Sequence, residues 1–229
     1  MANSIQNAEP TLASLLDLFK GNVMMEMNCH QVGEIVSFDS STQTAEVQIK
    51  MFKMQNGVIK DFPILIDCPC VVLGGGEGRV TFPIKQGDSC LVLFNDRDID
   101  NWYAGGQKML PRTERKHSFS DAIALVGIHN KQNQINDYLN NGTELKYGNS
   151  TIKLQDNKVT ITNGTSSIEL SSGTITVTGT SLVVTAPTVA FSGAVSVGGT
   201  LTVQGTDVGP SHVHSGVSRG NSNTDGVVQ

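Results

Sequence analysis

The spacing of apolar positions changes twice along the chain. Leu12, Leu15, Leu16, Phe19 and Val23 recur at helical intervals and lay one apolar stripe along a helix. Pro10 suits a first turn, and Gly21 ends or loosens the helix. Met24, Met25 and Met27 follow as soft packing residues. From His30 to Phe94 the period becomes two. Residues 32–38, 44–51, 62–73, 79–82 and 89–94 predict five strands. Polar or glycine-rich breaks separate them, such as 39–43 and 74–78. Few helical signals lie between, and the pattern predicts a small closed or partly open barrel of the oligonucleotide/oligosaccharide-binding (OB) type.

Beyond Thr143 the pattern changes again. Residues 150–154, 158–162, 167–170, 173–178, 181–185, 188–191, 194–197 and 200–203 are short Val/Ile/Thr segments, most of them cornered by Gly, Ser, Asn or Asp. Repetition at so short a step predicts a solenoid or β-helix rather than a sandwich. Strands this short expose unpaired edges unless something covers them. Three chains intertwined about one axis answer that need, with Val, Ile and Leu filling a narrow shared interior and Ser and Thr facing water. A single-chain solenoid is the alternative.

Composition narrows the function. The net charge is −5, and the strands offer neither a basic groove nor the exposed aromatics that stack on bases, so nucleic-acid binding is not expected. Residues 159–206 carry Glu169 as their only charged side chain and Phe191 as their only aromatic. Such a stretch lacks the large side chains that fill a conventional core. The start of the chain shows no basic segment followed by an apolar run, and no apolar run approaches the roughly 20 residues of a membrane span. A soluble protein made in the cytoplasm is the expectation.

Several motifs are weighed and set aside. Cys29, Cys68, Cys70 and Cys90 match no zinc spacing and read as reduced thiols on strands. Gly74 to Gly78 lacks the Gly-Lys-Ser/Thr of a phosphate loop. Asp96, Asp98 and Asp100 alternate as in a calcium loop, but Asn101 and Gln107 stand where Gly and Glu are required. A surface turn anchored by Trp102 is predicted there instead. Residues 111–116 read as linker, 119–128 as a short strand, and 130–141 as a loop or weak helix. Glu114 and Asp121 are isolated on that linker, so no acid pair is in place for hydrolysis and no enzyme is expected.

One constellation remains. His212 and His214 stand two apart, and in a strand i and i+2 share a face. Two imidazoles complete no ordinary metal site, but three chains supply six nitrogens, enough for an octahedron. That number speaks against a structural zinc, which is usually tetrahedral. Nickel and copper also accept imidazole, so the residues leave the metal open. His30, His117 and His129 are isolated and read as surface or core residues.

Taken together, a small barrel containing Phe94-Asn-Asp-Arg-Asp-Ile-Asp-Asn-Trp102, a Val/Thr/Gly β-helix and a terminal His212-Val-His214 resemble the central spikes of contractile-tail bacteriophages, the baseplate assembly protein V group. The resemblance covers most of the chain. It implies a mainly β homotrimer: a helical segment (1–28), an OB-like barrel (29–110), a linker (111–142), an intertwined trimeric β-helix (143–208) and a metal-bound tip (209–229). It further implies attachment to the tail hub or baseplate through the N-terminal domain and an iron ion held by His212 and His214 of three chains. The implied setting is the virion, and the implied task is piercing the host outer membrane. A spike of a type VI-like secretion system or a tail adhesin shares much of this outline.

Overall fold

The computed structural model describes residues 11–55, 57–209, 216 and 220. It divides into two compact units, Met1–Tyr138 and Leu139–Gln229. Among the described residues no helix is long and apolar enough to cross a membrane.

The first unit begins with helix α1, Leu12–Glu26. Thr11 caps it by accepting a hydrogen bond from the Ser14 amide at 3.2 Å, and the Met27 amide closes its end on the Val23 carbonyl at 3.1 Å. Gly21 lies inside the helix and does not end it. No residue of α1 is buried.

Strands β1 (His30–Asp39), β2 (Thr44–Ile49), β3 (Phe52–Gln55), β4 (Val58–Asp61), β5 (Leu65–Pro69), β6 (Leu73–Gly75), β7 (Gly78–Val80), β8 (Ser89–Phe94) and β9 (Ala122–Val126) follow. Five of them form one antiparallel sheet in the order β5-β2-β1-β8-β9. The register slips between Ile35 and Ser37 in β1 and between Ala45 and Val47 in β2. Such bulges bend a strand and increase its twist, and the sheet curls into a half-barrel. Its two edges touch where Cys70 bridges Ala124 and the Val71 amide donates to the Ala124 carbonyl at 2.9 Å.

Alternation puts Ala45, Val47 and Ile49 of β2 and Cys90, Val92 and Phe94 of β8 on the concave side, where all are buried with Ile35, Leu65, Cys68, Ala122 and Ala124. Many of these are small, as a narrow interior requires. Phe119 closes one side of the core edge-on to both Phe94 (5.6 Å between ring centres) and Phe62 (5.7 Å). Gly33 lies where backbone meets core: a Cβ there would stand 2.6 Å from Val47 Cγ1 and 2.9 Å from Val92 Cγ2.

Three details depart from the sequence expectation. The short strand expected within 119–128 is β9, and it completes the sheet from beyond the expected barrel boundary at Leu110; its Ala-Ile-Ala-Leu-Val run pairs with β8 from Cys90–Val126 to Phe94–Ala122. Residues 62–73, expected as one strand, are β5 and the first residue of β6, parted at 70–72; within β5, Asp67 has a φ of +54° where the pairing with β2 shifts. Finally, β3–β4 and β6–β7 form separate two-stranded hairpins, the second built on the 74–78 glycine run that reads as a plain loop.

The second unit opens with a five-stranded meander: β10 (Gly142–Tyr147), β11 (Ser150–Gln155), β12 (Lys158–Asn163), β13 (Ser166–Ser171) and β14 (Thr174–Thr178), paired in sequence order. Two residues make each turn, with positive φ at Gly148, Asn157, Gly164 and the Ser172-Gly173 pair, the backbone that tight hairpins need. In the single chain these strands pair with one another rather than singly with neighbouring chains or in a solenoid. Their turns return each strand onto the one before it, and no β-helix is shown. The short strands β15 (Thr202–Val203) and β16 (Thr206–Asp207) make a last hairpin. Between β14 and β15, residues 181–185, 188–191 and 194–197 were expected as strands and carry no ladder in the single chain.

The meander has two unlike faces. Without any register shift, Leu145, Ile152, Ile161, Ile168 and Val177 line up across it. Leu154, Val159, Leu170 and Ile175 form a second row on the same face. The opposite face carries Glu144, Lys153, Thr160, Glu169 and Thr176 in register, with ion pairs Lys153–Glu144 (3.2 Å) and Lys158–Glu169 (2.7 Å). The Thr151 and Thr162 hydroxyls bond across it. Among the described residues nothing buries the aliphatic face: even its central Ile161 is 42% exposed.

Candidate functional site

His212 and His214, the residues on which the metal expectation rests, lie outside the described residues. The described chain approaches them through β15–β16, where the Val208 amide donates to the Leu201 carbonyl at 2.9 Å. Gly209 N–H then donates to the Asp207 carboxylate at 2.8 Å. A defined hairpin therefore ends at Asp207, in the chain just before the first histidine.

Another charged constellation takes shape in the first unit, from residues the sequence reads as turn and linker. Asp98 follows β8, Asp100 opens the short helix α2 (Asp100–Gly105), and Asp121 ends a 3₁₀ turn, Phe119–Asp121. Their carboxylate oxygens lie within 4.8 Å of one another, a spacing that could hold a metal ion. Arg115 already supplies the positive charge. Its Nε and one terminal nitrogen donate to the two oxygens of Asp121, both at 2.9 Å. The same terminal nitrogen reaches Asp98 at 3.1 Å and Asp100 at 3.0 Å. Asp121 also accepts from the Ile99 amide (3.1 Å), and Asp98 from Thr113 Oγ1 (2.7 Å) and the Asp100 amide (2.9 Å).

Each buried carboxylate thus has partners, as burial demands. The Thr113 hydroxyl, the Asp100 amide and Arg115 together hold the Asp98 carboxyl below the usual range against the opposing effect of burial. Hydrogen bonding to Asp121 and Asp100 and their charge raise the guanidinium's already high pKa. The arrangement is a clasp that ties the β8–α2 connection, the 113–115 segment and the 3₁₀ turn to the sheet. It corrects two readings: Asp121 is fully buried rather than isolated, and Trp102, 53% exposed, lies on helix α2 rather than in a turn. The signal missed was Arg115 itself, since nothing in sequence spacing says which of several aspartates a lone arginine will gather.

Histidine and cysteine placements are likewise structural. His117, read as isolated, bonds through Nδ1 to the Asn28 carbonyl at 3.0 Å, while Asn28 Nδ2 donates to the His117 carbonyl at 3.1 Å. With the Phe94 amide donating to the Cys29 carbonyl at 3.0 Å, this fixes the chain where α1 gives way to β1. His129 bonds the Asn133 carbonyl within its own loop. All four cysteines are free, with Cys68 and Cys90 buried and Cys29 exposed. Burial pushes the Cys68 thiol up to about 12 and the Cys90 thiol to about 11. They are neutral packing groups, as expected of core thiols.

An open cleft of about 600 Å³ lies beside β5, lined by Ile64, Ile66, Asp67, Tyr103, Arg112 and Phe119 among others. Its wall is braced where the Tyr103 hydroxyl donates to the Thr42 carbonyl at 3.3 Å. The cleft is shallow and mixed in polarity.

Residues 32–127 match the family model of the phage protein Gp138 N-terminal domain. The matched stretch begins in β1 and ends just past β9, so it coincides with the curled sheet and its clasp and leaves out the meander. The match supports a phage structural protein of the tail type. No curated protein matches the chain.

Proposed function

We propose that this chain is the central spike of a contractile phage tail, a homotrimer that pierces the host outer membrane when the sheath contracts. The observation that carries the proposal is the aliphatic face of the meander. Nine apolar side chains stand in two rows on one side of a flat sheet, backed by a fully polar other side. Three such sheets facing one axis would enclose a dry interior and turn every charged row to water. Covering the exposed parts of these side chains would stabilise the assembly by on the order of 10 kcal/mol per chain. Residues 181–197, strand-like in sequence but without a ladder in one chain, would find partners in the other two.

Under this reading the curled sheet is an OB-type barrel that seats the spike on the tail hub. The match over residues 32–127 supports a phage setting over a secretion-system spike. The C-terminal unit forms the shaft. Force comes from the sheath, so the shaft must resist bending and peeling rather than catalyse anything. At the tip, His212 and His214 of three chains would hold one iron ion through six imidazole nitrogens. A full set of protein ligands leaves no position for water or substrate, so the ion would be a fastening for three chain ends.

Light scattering on the purified full chain tests the central point and should return the mass of three chains; a single-chain mass overturns it. Elemental analysis should give one iron per three chains, absent from the His212→Ala/His214→Ala variant. Iron retained in that variant removes the ligand assignment.

A further inference from the structure

We infer that helix α1 is a second trimerisation element, packing against the same helix of two other copies of this chain. The inference rests on the trimeric reading above and adds an interface that the meander does not provide.

The helix has fifteen residues and an internal glycine, and none of its side chains is buried. Isolated helices of this length are marginal in water, and most helical stability comes from packing an apolar face. Thr11 and Met27 nevertheless cap it cleanly at both ends, so the element is well specified, yet among the described residues nothing covers it. Its apolar positions say which neighbour suits it. Leu12, Leu16, Phe19 and Val23 are spaced four, three and four apart, the interval of a coiled-coil seam. They are between 42% and 72% exposed. Leu15 flanks this seam and widens it, whereas Ser14, Asp17 and Gly21 fall on the opposite side. Of the helix's charges, Asp17 falls opposite the seam, and Glu26, three residues past Val23, takes the seam's next step at its very end, so no charge interrupts the seam between Leu12 and Val23.

The exit from the helix favours self-association too. Only Met27, Asn28 and Cys29 separate α1 from β1. The mutual Asn28–His117 hydrogen bonds and the Phe94–Cys29 bond pin that link to the sheet. A short, pinned link holds each helix at high local concentration relative to its counterparts once the chains are joined elsewhere. Leu18 and Met25 remain outside the seam, on the outer side of such a bundle.

The test uses the full chain carrying Cys29→Ser, to remove the exposed thiol beside the helix, and either Leu16→Cys on the seam or Ser14→Cys opposite it. After mild oxidation, the seam variant should give disulfide-linked chain pairs roughly tenfold faster than the outer variant, because a disulfide needs closely approaching backbones. Adding Phe19→Asp should abolish that linkage while light scattering still reports three chains. Equal rates at the two positions, or no linkage in a chain that scatters as a trimer, overturn the helix assignment alone and leave the helix to a different tail protein. A monomeric chain overturns the trimeric reading and the helix bundle together.

Discussion

Two five-stranded antiparallel sheets occupy this chain, and they solve the problem of an apolar face in opposite ways. The first bends at its register shifts until its edges touch at Cys70 and Ala124, and so encloses Val47 and Val92 with no exposure at all. The second holds perfect register through four two-residue turns and remains open, with Ile152 and Ile168 each 40% exposed. Bulges therefore decide whether a sheet can make its own interior. A sheet without them must be covered by something else. The first sheet is a finished body; under the proposed trimer, the second is one wall of a larger one.

Breaking the second sheet's apolar face should have the largest effect. Ile161→Asp puts a charge in the middle of the central row and should convert the trimer to single chains by light scattering. Thr160→Asp, one residue away on the polar face, should leave the mass unchanged. If both variants behave alike, the two faces do not differ in role.

The first sheet should respond in stability rather than assembly. Asp121→Ala removes the bidentate partner of Arg115 and should cost about 3 kcal/mol, read as a lower denaturant midpoint, because a half-buried guanidinium loses its best partner while keeping two others. Gly33→Ala should cost about 1–3 kcal/mol by forcing a methyl against Val47 and Val92. Neither change should alter the polar-face ion pairs of the meander.

The smallest effects concern protons. At neutral pH a thiol reagent should label exposed Cys29 first and half-buried Cys70 more slowly, with Cys68 and Cys90 reacting only after unfolding. Because burial raises these two thiols from the ordinary 9.0 to about 12 and about 11, the unfolded chain loses its protons first. Stability should therefore be intact below about pH 9 and decline as pH rises toward 12. Asp98 runs the other way: its carboxyl is lowered in the folded state, so its contribution is present above pH 4 and lost as pH falls further. A midpoint that stays flat at both extremes would show that neither group is linked to folding.

How much of this was legible in the sequence depended on whether a signal is local. Alternation in 89–94 marks β8 to the residue, because one face of that strand is wholly buried. Strands β3 and β4 were passed over: they form a free hairpin whose Lys53 and Lys60 stand directly opposite each other, and no buried face imposes alternation on them. The Ala122–Val126 run is legible as the short strand β9, but its place in the sheet is not, because its pairing with β8 spans a long excursion through α2 and the clasp. Strands β11 to β14 of the meander are legible in the sequence, but β10 is not, and their pairing within one chain is not. Corners such as Gly148-Asn149 and Asp156-Asn157 are two-residue hairpin turns, and that chemistry sends the chain back on itself. The Arg115 clasp was illegible because it is wholly tertiary. For the histidine pair, the described structure leads up to the site without entering it.

The strict eight-residue step of the meander, six in the strand and two in the turn, has a bearing on how such a shaft changes length. Deleting one step would send the chain out of the opposite end of the sheet, whereas deleting two restores its direction and keeps every aliphatic residue on its original side. Each strand adds roughly 4.8 Å. Growth or shortening by sixteen residues at a time is therefore the increment that this architecture tolerates, a graduated scale written into its hairpins.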